Sequence, residues 1–476
     1  MNTIQRIAKN TGVLAIMNIA TMILGLIFTA SFARYFGDAA FGKYSFALAF
    51  TSLFAILLDL GFNELAIREI SRDKKIAGKY IGNIMIIKIL LTIFFIFIIS
   101  IIINILQYPS DTKTIVYILG SYTILISFGQ LFRAVFHGFE KMEYNSLLTI
   151  IEKIIIVSIG LILIFLQYEL FQVVSVYLVG GIFDFIFGML FTIKRFTKPK
   201  FEIDIAFWKS TIISAIPFSL TFIFVNIYNK IDTVMLSIMI NDAVVGWYNA
   251  AYRLVINLNV LPSVLILALY PVLSRFHTYS SKKSLKLTYE KALRLLFLIG
   301  FPIGVGTTLI ADKIILLIFG DQFFSSIIAL KILIWMFVIN CCAWLMAIVL
   351  HAINKQNIVA FSMGLCAIFN IVSNYFIIPK LSYIGACITT IATYLLALII
   401  LFYFISKYLD TTPFLKIIIK PVLAGLAMGI IVYHIMYLNP LFIISIACMI
   451  YFAILLIFGE ISKEDLILVK KIFGRN

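Results

Sequence analysis

The sequence predicts an all-α polytopic membrane protein, on three observations. Of its 476 residues 63% are hydrophobic and only 13% are charged, more apolar surface than a water-soluble core of this length can enclose. Apolar runs of roughly 20 residues, the length that carries a helix across about 30 Å of hydrocarbon, recur along the chain with short polar breaks. Stretches such as 84–105 and 154–166 are apolar on all sides rather than alternating, so helices are expected and barrel strands are not.

Taken in order, about fourteen spans are predicted from run length: 11–33, 41–63, 80–106, 115–138, 147–167, 172–193, 211–237, 247–274, 293–320, 327–353, 358–379, 383–406, 417–438 and 441–459. Arg6 and Lys9 precede the first, and no small-residue cleavage site follows it before Ala33, so it is read as a retained span. The chain then divides into an N-terminal lobe (1–193), a cytoplasmic linker (194–210), a C-terminal lobe (211–406), and two extra spans with a cytoplasmic tail (407–476). A central lumen between the six-helix lobes is the expected architecture.

The net charge of +16 suggests nucleic acid, but in a membrane chain the position of each Lys and Arg matters more than the sum. With both termini cytoplasmic in the cell membrane, the outside loops hold only Arg34, Lys43, Lys113 and Lys380. The inside segments hold most of the 38 Lys and Arg. Basic clusters such as Arg68, Arg72, Lys74, Lys75, Lys79 and Lys194, Arg195, Lys198, Lys200 are explained by topology and anionic headgroups, without nucleic acid.

Several chemistries are not expected. Cys341, Cys342, Cys366, Cys387 and Cys448 lie in apolar segments without metal-ligand spacing. His137, His277, His351 and His434 are scattered, so no metal is predicted. No Gly-x-x-x-x-Gly-Lys-Ser/Thr loop is present, so neither ATP coupling nor another cofactor is predicted. The short outside loops leave no room for a catalytic domain, which argues against an enzyme.

An internal repeat is suggested by Phe41-Gly42-Lys43-Tyr44-Ser45, which returns as Val245-Gly246-Trp247-Tyr248-Asn249 roughly 200 residues later, each opening the second helix of its lobe, as in repeat-built transporters. The run Arg34-Tyr35-Phe36-Gly37, the first of those motifs, Asp59-Leu60-Gly61-Phe62 and Arg68-Glu69 resembles the start of polysaccharide-type flippases. These form a branch, O-antigen flippases included, of the multidrug/oligosaccharidyl-lipid/polysaccharide exporter superfamily. Phe132-Arg133-Ala134, Gly138-Phe139-Glu140-Lys141-Met142, Ile231-Asp232, the motif continuing to Arg253, Tyr270-Pro271 and the segment 302–320 extend the resemblance over roughly 5–410. It implies a V-shaped pair of lobes, alternating access, and export of a polyprenyl-linked oligosaccharide whose tail stays in the bilayer. The implied partners are that substrate, membrane lipids and other membrane proteins of glycan assembly.

Ionisable groups inside spans are costly and face a bundle interior or water. Lys88, Arg133, Lys230 and Arg253 are the cations there, and a lumen lined by them would attract an anionic pyrophosphate. On the seventh span Ser219, Asn226, Lys230, Thr233 and Ser237 share one helical face, and on the eighth Asn249, Arg253 and Asn257 repeat at i, i+4 and i+8. The candidate substrate-binding residues are Arg253, Lys230, Arg133, Asn249, Asn257, Asn226 and Arg34. Competing readings are that Lys230 pairs with Asp232 or snorkels, that Lys88 and Arg133 snorkel to the cytoplasmic interface, that the asparagines glue helices together, and that Arg34 is a surface cation. Asp232, Asp59 and Asp184, with Glu152 beside Lys153, are candidates for carrying a proton or sodium. The alternatives are a cation-coupled multidrug exporter of the same superfamily and a membrane glycan polymerase.

Overall fold

The computed structural model describes residues 3–279, 282–409, 414–457 and 459. The first part of the chain forms α1 (Thr3–Phe54), α2 (Ile56–Asp59), α3 (Phe62–Arg72), α4 (Ala77–Ile105), α5 (Ser110–Gly138), α6 (Met142–Phe165) and α7 (Leu170–Phe191). The second forms α8 (Ile205–Met239), α9 (Asp242–Asn257), α10 (Val260–Tyr279), α11 (Lys282–Leu309), α12 (Ala311–Phe319), α13 (Ser326–Ala352) and α14 (Gln356–Leu409), followed by α15 (Phe414–His434) and α16 (Pro440–Ile457). Among the described residues there is no β-strand. The predicted tail beyond 459 lies outside the described residues.

Among the described residues ten helical stretches are long and apolar enough to cross a membrane, and their surface is inverted relative to a water-soluble protein. On α4, Ile89, Ile93 and Phe97, with Leu90 and Phe94 beside them, stand exposed, a stripe of i, i+4 spacing. Lys88 on the same helix is fully buried. Such a surface suits hydrocarbon, where each backbone amide is satisfied within its own helix.

Two stretches are too long for single crossings. α1 has 52 residues and α14 has 54; straight helices of that length would extend about 80 Å, against about 30 Å of hydrocarbon. Each doubles back. At Gly37 the backbone takes φ 81°, a conformation that costs glycine little, and the rings of Phe32 and Tyr44 come to 4.7 Å between centroids. A straight helix would hold them about 18 Å apart. At Ser382 φ is 53°, and beyond this reversal Thr393 Oγ1 accepts from Asn370 Nδ2 at 3.3 Å, across 23 positions of sequence.

Two expected spans are broken. The stretch 247–274 is interrupted between Asn257 and Val260, where asparagines 257 and 259 line a polar cavity. The stretch 293–320 is divided at Ile310, after Gly304, Gly306, Thr307 and Thr308 weaken the preceding turn.

The two parts of the chain meet along α1, which packs on α8, α9 and α10. At the end bearing the Gly37 and Ser382 reversals this seam is tight. A Cβ on Gly42 would overlap the Asp242 carbonyl, and one on Gly246 would overlap the Asp38 carbonyl, so the repeated glycines are what let the two helices touch. Trp247 Nε1 donates to Asp38 Oδ2 at 2.7 Å, and the Trp247 ring lies 5.8 Å from that of Tyr383. Arg34 caps the C-terminus of α12, donating from Nε to Ile318 O at 2.9 Å and from Nη2 to the Leu317 carbonyl. A cation at a helix C-terminus also meets the negative end of its dipole. At the opposite end of the bundle, residues 197–204 run without helix across the start of α4.

Candidate functional site

Away from the tight end, the seam opens into a cavity of about 510 Å³. Asn18, Thr21 and Met22 of α1, Tyr122 of α5, and Thr149, Glu152 and Lys153 of α6 form one wall. Asn257, Asn259, Val260 and Ser263 form the other. The break between α9 and α10 builds that second wall. It places Asn257 and Asn259 at the same opening, and Asn259 Oδ1 accepts from Asn340 Nδ2 of α13 at 3.1 Å. Both walls carry amides and hydroxyls beside apolar side chains such as Met22, Ile256 and Val260, and amides and hydroxyls bond sugar hydroxyls as readily as water.

Arg253, one helical turn before Asn257, spans the seam. Its Nη1 donates to Thr29 Oγ1 of α1 at 3.2 Å, and its guanidinium lies 5.1 Å from the Tyr44 ring centroid and 5.7 Å from that of Phe41. Both are within cation–π range. Lys153 passes close to α1 where Gly25 leaves room: its Cε would be 3.4 Å from a Cβ there. Arg253 repels both Lys153 and Lys230, so it lies within electrostatic reach of each lysine. Among the described residues neither lysine makes an ion pair, and Lys230 is not paired with Asp232.

Arg133 belongs to a different cluster. Its Nη2 donates to Glu152 Oε2 at 3.2 Å and to Asp184 Oδ1, while Tyr122 donates to Glu152 Oε1 at 2.9 Å. Two carboxylates thus share one guanidinium, and Glu152 carries that surplus to the cavity wall. Asp184 packs where Gly129 lacks a side chain, and its Oδ2 has no hydrogen-bond partner.

Lys88 does not snorkel. Its Nζ donates to Asp59 Oδ1 at 2.8 Å and to Ser127 O at 3.0 Å and Oγ at 2.8 Å, so Asp59 is the partner of a buried cation. Asp232 is held by neutral donors alone: Tyr248 at 2.8 Å, Thr390 at 2.7 Å, and Asn374. Asn249 bonds Thr233 Oγ1 at 3.1 Å and Val245 O at 2.9 Å, which ties α9 to α8. Asn226 is half-buried on α8.

The candidate residues therefore fall into separate places. Asn257 lines the cavity, with Arg253 one helical turn away on the same seam and Lys230 in electrostatic reach of Arg253; Arg133 and Asp184 form one charge cluster, Asp59 another, and Asp232 with Asn249 a polar core in the second part. Arg34 stands at the tight end. Lys153, Asn18 and Asn259 line the cavity without having been singled out as binding residues. The signal for Lys153 was present in Asn145, Thr149 and Lys153 at i, i+4 and i+8 on one face of α6. Among the described residues no group of His, Cys, Asp and Glu is arranged to hold a metal.

The polysaccharide biosynthesis protein family model matches residues 7–277, and a MatE family model matches residues 217–376. A probable flippase of Haloferax volcanii is 23% identical over 217 residues, which is 45% of this chain and 45% of that protein, so this match spans under half of either. A putative O-antigen transporter of Shigella flexneri is 25% identical over 374 residues, covering 75% of this chain and 87% of that one. Among solved structures, the lipid II flippase MurJ in an inward closed conformation superposes with a TM-score of 0.78 at 20% identity, over 95% of this chain and 99% of that one. Because the first of the family models spans more than half of its length, this chain belongs to the polysaccharide biosynthesis protein family, within the multidrug/oligosaccharidyl-lipid/polysaccharide exporter superfamily of multi-pass membrane transporters.

Proposed function

We propose that this chain flips a polyprenyl-linked oligosaccharide across the cell membrane by alternating access. The observation that carries this reading is the cavity on the α1–α9 seam, with amides and hydroxyls on both walls and Lys153 in its lining, and with Arg253 beside it in electrostatic range of both Lys153 and Lys230. A diphosphate headgroup offers the matching charge, and the amides and hydroxyls suit the first sugars. A cavity of about 510 Å³ falls in the range of ordinary ligand sites, so a longer glycan extends through the open side.

In this reading about fourteen helices cross the bilayer, because α1 and α14 each count twice and α8 and α16 complete the set. They form two six-helix lobes joined by the linker 194–210, with α15 and α16 added. The concentration of Lys and Arg at the linker end supports placing that end, and both termini, in the cytoplasm. The tight end is then the closed outer gate, with Arg34, Gly42 and Gly246 as its parts. Arg253, Lys230, Asn257 and Lys153 contact substrate. Arg133, Asn226 and Asn249 support the binding wall from behind, and Asp232, Asp59 and Asp184 supply the coupling carboxylates, Asp232 foremost because no cation already occupies it.

The match to the MatE family model over residues 217–376 favours one second reading, a cation-coupled drug exporter. A cationic drug meets repulsion from Arg253, Lys153 and Lys230, which counts against it.

The test is flipping in proteoliposomes, read as a lipid-linked oligosaccharide becoming accessible to an impermeant sugar-cleaving enzyme. Arg253→Glu and Lys153→Glu are each expected to reduce the rate tenfold or more, because a charge-assisted bond contributes about 1.5–3 kcal/mol. Unchanged rates in both variants would remove the cationic cavity from the mechanism. Protein-dependent release of a cationic dye, with the glycan lipid inaccessible, would favour the drug exporter.

A further inference from the structure

The segment joining α7 to α8 is built into the bundle. Lys200 N donates to Gly78 O at 2.9 Å, Lys79 Nζ bonds Asp204 Oδ2 at 2.7 Å, and Trp208 Nε1 donates to Asn83 Oδ1 at 2.8 Å. The close approach depends on glycine. A Cβ on Gly78 would meet the Lys198 carbonyl, and one on Gly82 would overlap the carbonyl of Lys200. The segment is therefore a strap fixed across the first two turns of α4.

This strap carries apolar side chains with nothing over them. Phe201, Ile203 and Ile205 are 64%, 76% and 74% exposed, while Asp204 between them turns back to Lys79. Alternation along extended backbone puts residues 201, 203 and 205 on one face. Two further observations say what covers that face. The strap sits at Gly78 and Gly82, and the lipid-facing stripe of α4 begins at Ile89, about 10 Å further along the helix axis, so the strap lies at headgroup depth. Immediately before it, Lys194, Arg195, Lys198 and Lys200 are all exposed, a cationic set beside an apolar one.

We propose that the strap is a membrane-interface anchor: Phe201, Ile203 and Ile205 insert into the headgroup boundary of the leaflet at this end, and the four basic side chains bind anionic lipid headgroups. Zwitterionic lipid satisfies the apolar face alone, and anionic lipid satisfies both, so the anchor senses leaflet charge. Because it is stitched to α4 and runs directly into α8, lipid binding here fixes where the second part of the chain starts relative to the first. This inference stands apart from the substrate proposed above and holds or fails without it.

The experiment uses the full chain with Cys448→Ser, since the other four cysteines are buried. Spin labels are placed through Ile203→Cys or, on the opposite face, Glu202→Cys. The protein is reconstituted in phosphatidylcholine vesicles with or without phosphatidylglycerol. Collisional access to oxygen, which concentrates in lipid, is compared with access to a water-soluble nickel chelate. The expected result is oxygen-dominated access at position 203 and nickel-dominated access at 202. The ratio at 203 rises with phosphatidylglycerol, and Lys198→Gln with Lys200→Gln abolishes that rise. Nickel-dominated access at 203 in both vesicles would overturn the anchor. So would protection from both reagents with dipolar broadening between labels, because a second copy would then cover the face.

Discussion

Asp184 in α7 and Asp232 in α8 are both buried, at 0% and 2% exposure, yet their charges are met in opposite ways. Asp184 shares the Arg133 guanidinium with Glu152, so two acidic groups are held together through one cation between them. Asp232 has no cation; Tyr248, Thr390 and Asn374 aim hydroxyl and amide donors at it. A buried ion pair persists because removing either member strands the other. A carboxylate solvated by neutral dipoles is not tied to a protein cation, and so stays available to a small cation or proton. Under the function proposed above, the first cluster is assigned mainly to structure around the cavity wall and the second to coupling.

The largest effect expected from that contrast is at Arg133. Arg133→Met leaves Glu152 and Asp184 buried without a counter-charge and should cost about 3–5 kcal/mol, read as a fall in the thermal unfolding midpoint of the purified protein. Adding Asp184→Asn and Glu152→Gln to the same chain should recover much of the loss, because no charge is then stranded. A single Arg133→Met variant as stable as the parent would mean that these carboxylates do not depend on the guanidinium.

A smaller effect is expected at Asp232→Asn. One carboxylate oxygen becomes an NH2 group facing hydroxyl and amide donors, so a buried donor goes unsatisfied, at about 1–3 kcal/mol. Under the coupling role proposed above, flipping in this variant should also lose its response to an imposed ion gradient. Loss of stability with the gradient response intact would leave Asp232 as structure and move coupling elsewhere. Asp184→Asn sharpens the comparison from the other side. The Oδ2 atom of Asp184 has no partner, so the new NH2 group occupies an unbonded position while the remaining oxygen keeps Arg133. That NH2 group is itself a buried unsatisfied donor, so the expected loss is again about 1–3 kcal/mol, but with the response to an ion gradient intact.

The sequence made part of this contrast readable. Arg253 and Asn257 share a helical face because they are four residues apart, and the structure brings both to one seam. The helical character follows from run length, and the reversals at Gly37 and Ser382 fall at the polar breaks between expected spans. What was not readable is pairing across distance. Arg133 meets acids 19 and 51 positions away, and Lys88 meets Asp59 across 29. Helical periodicity reports which face a residue takes, not what lies opposite, so snorkelling was the expected alternative for both cations. Lys153 shows the same gap from the other direction. Its neighbour Glu152, adjacent in sequence but not facing it on the helix, points to Arg133 and leaves the lysine with the cavity.

A third carboxylate provides the scale for the other two. Asp204, in the strap, bonds Lys79 at 2.7 Å at the surface, and that hydrogen bond holds its carboxyl below the usual carboxylate range. A carboxyl with a depressed folded pKa contributes stability that is present above its unfolded value, near about 4, and is lost as pH falls through the folded value. The parent should therefore exceed Asp204→Asn in unfolding midpoint at neutral pH by the smallest margin of the series, since exposed pairs are screened by water and salt. That margin should begin to fall at about pH 4, vanish once pH drops below the folded value, and shrink in high salt at neutral pH. The buried Arg133 cluster should respond to salt far less, because ions do not reach it. Equal salt sensitivity of Arg133→Met and Asp204→Asn, each measured against the parent, would show that water enters the first cluster, and the distinction between a structural ion cluster and an exposed pair would fail there.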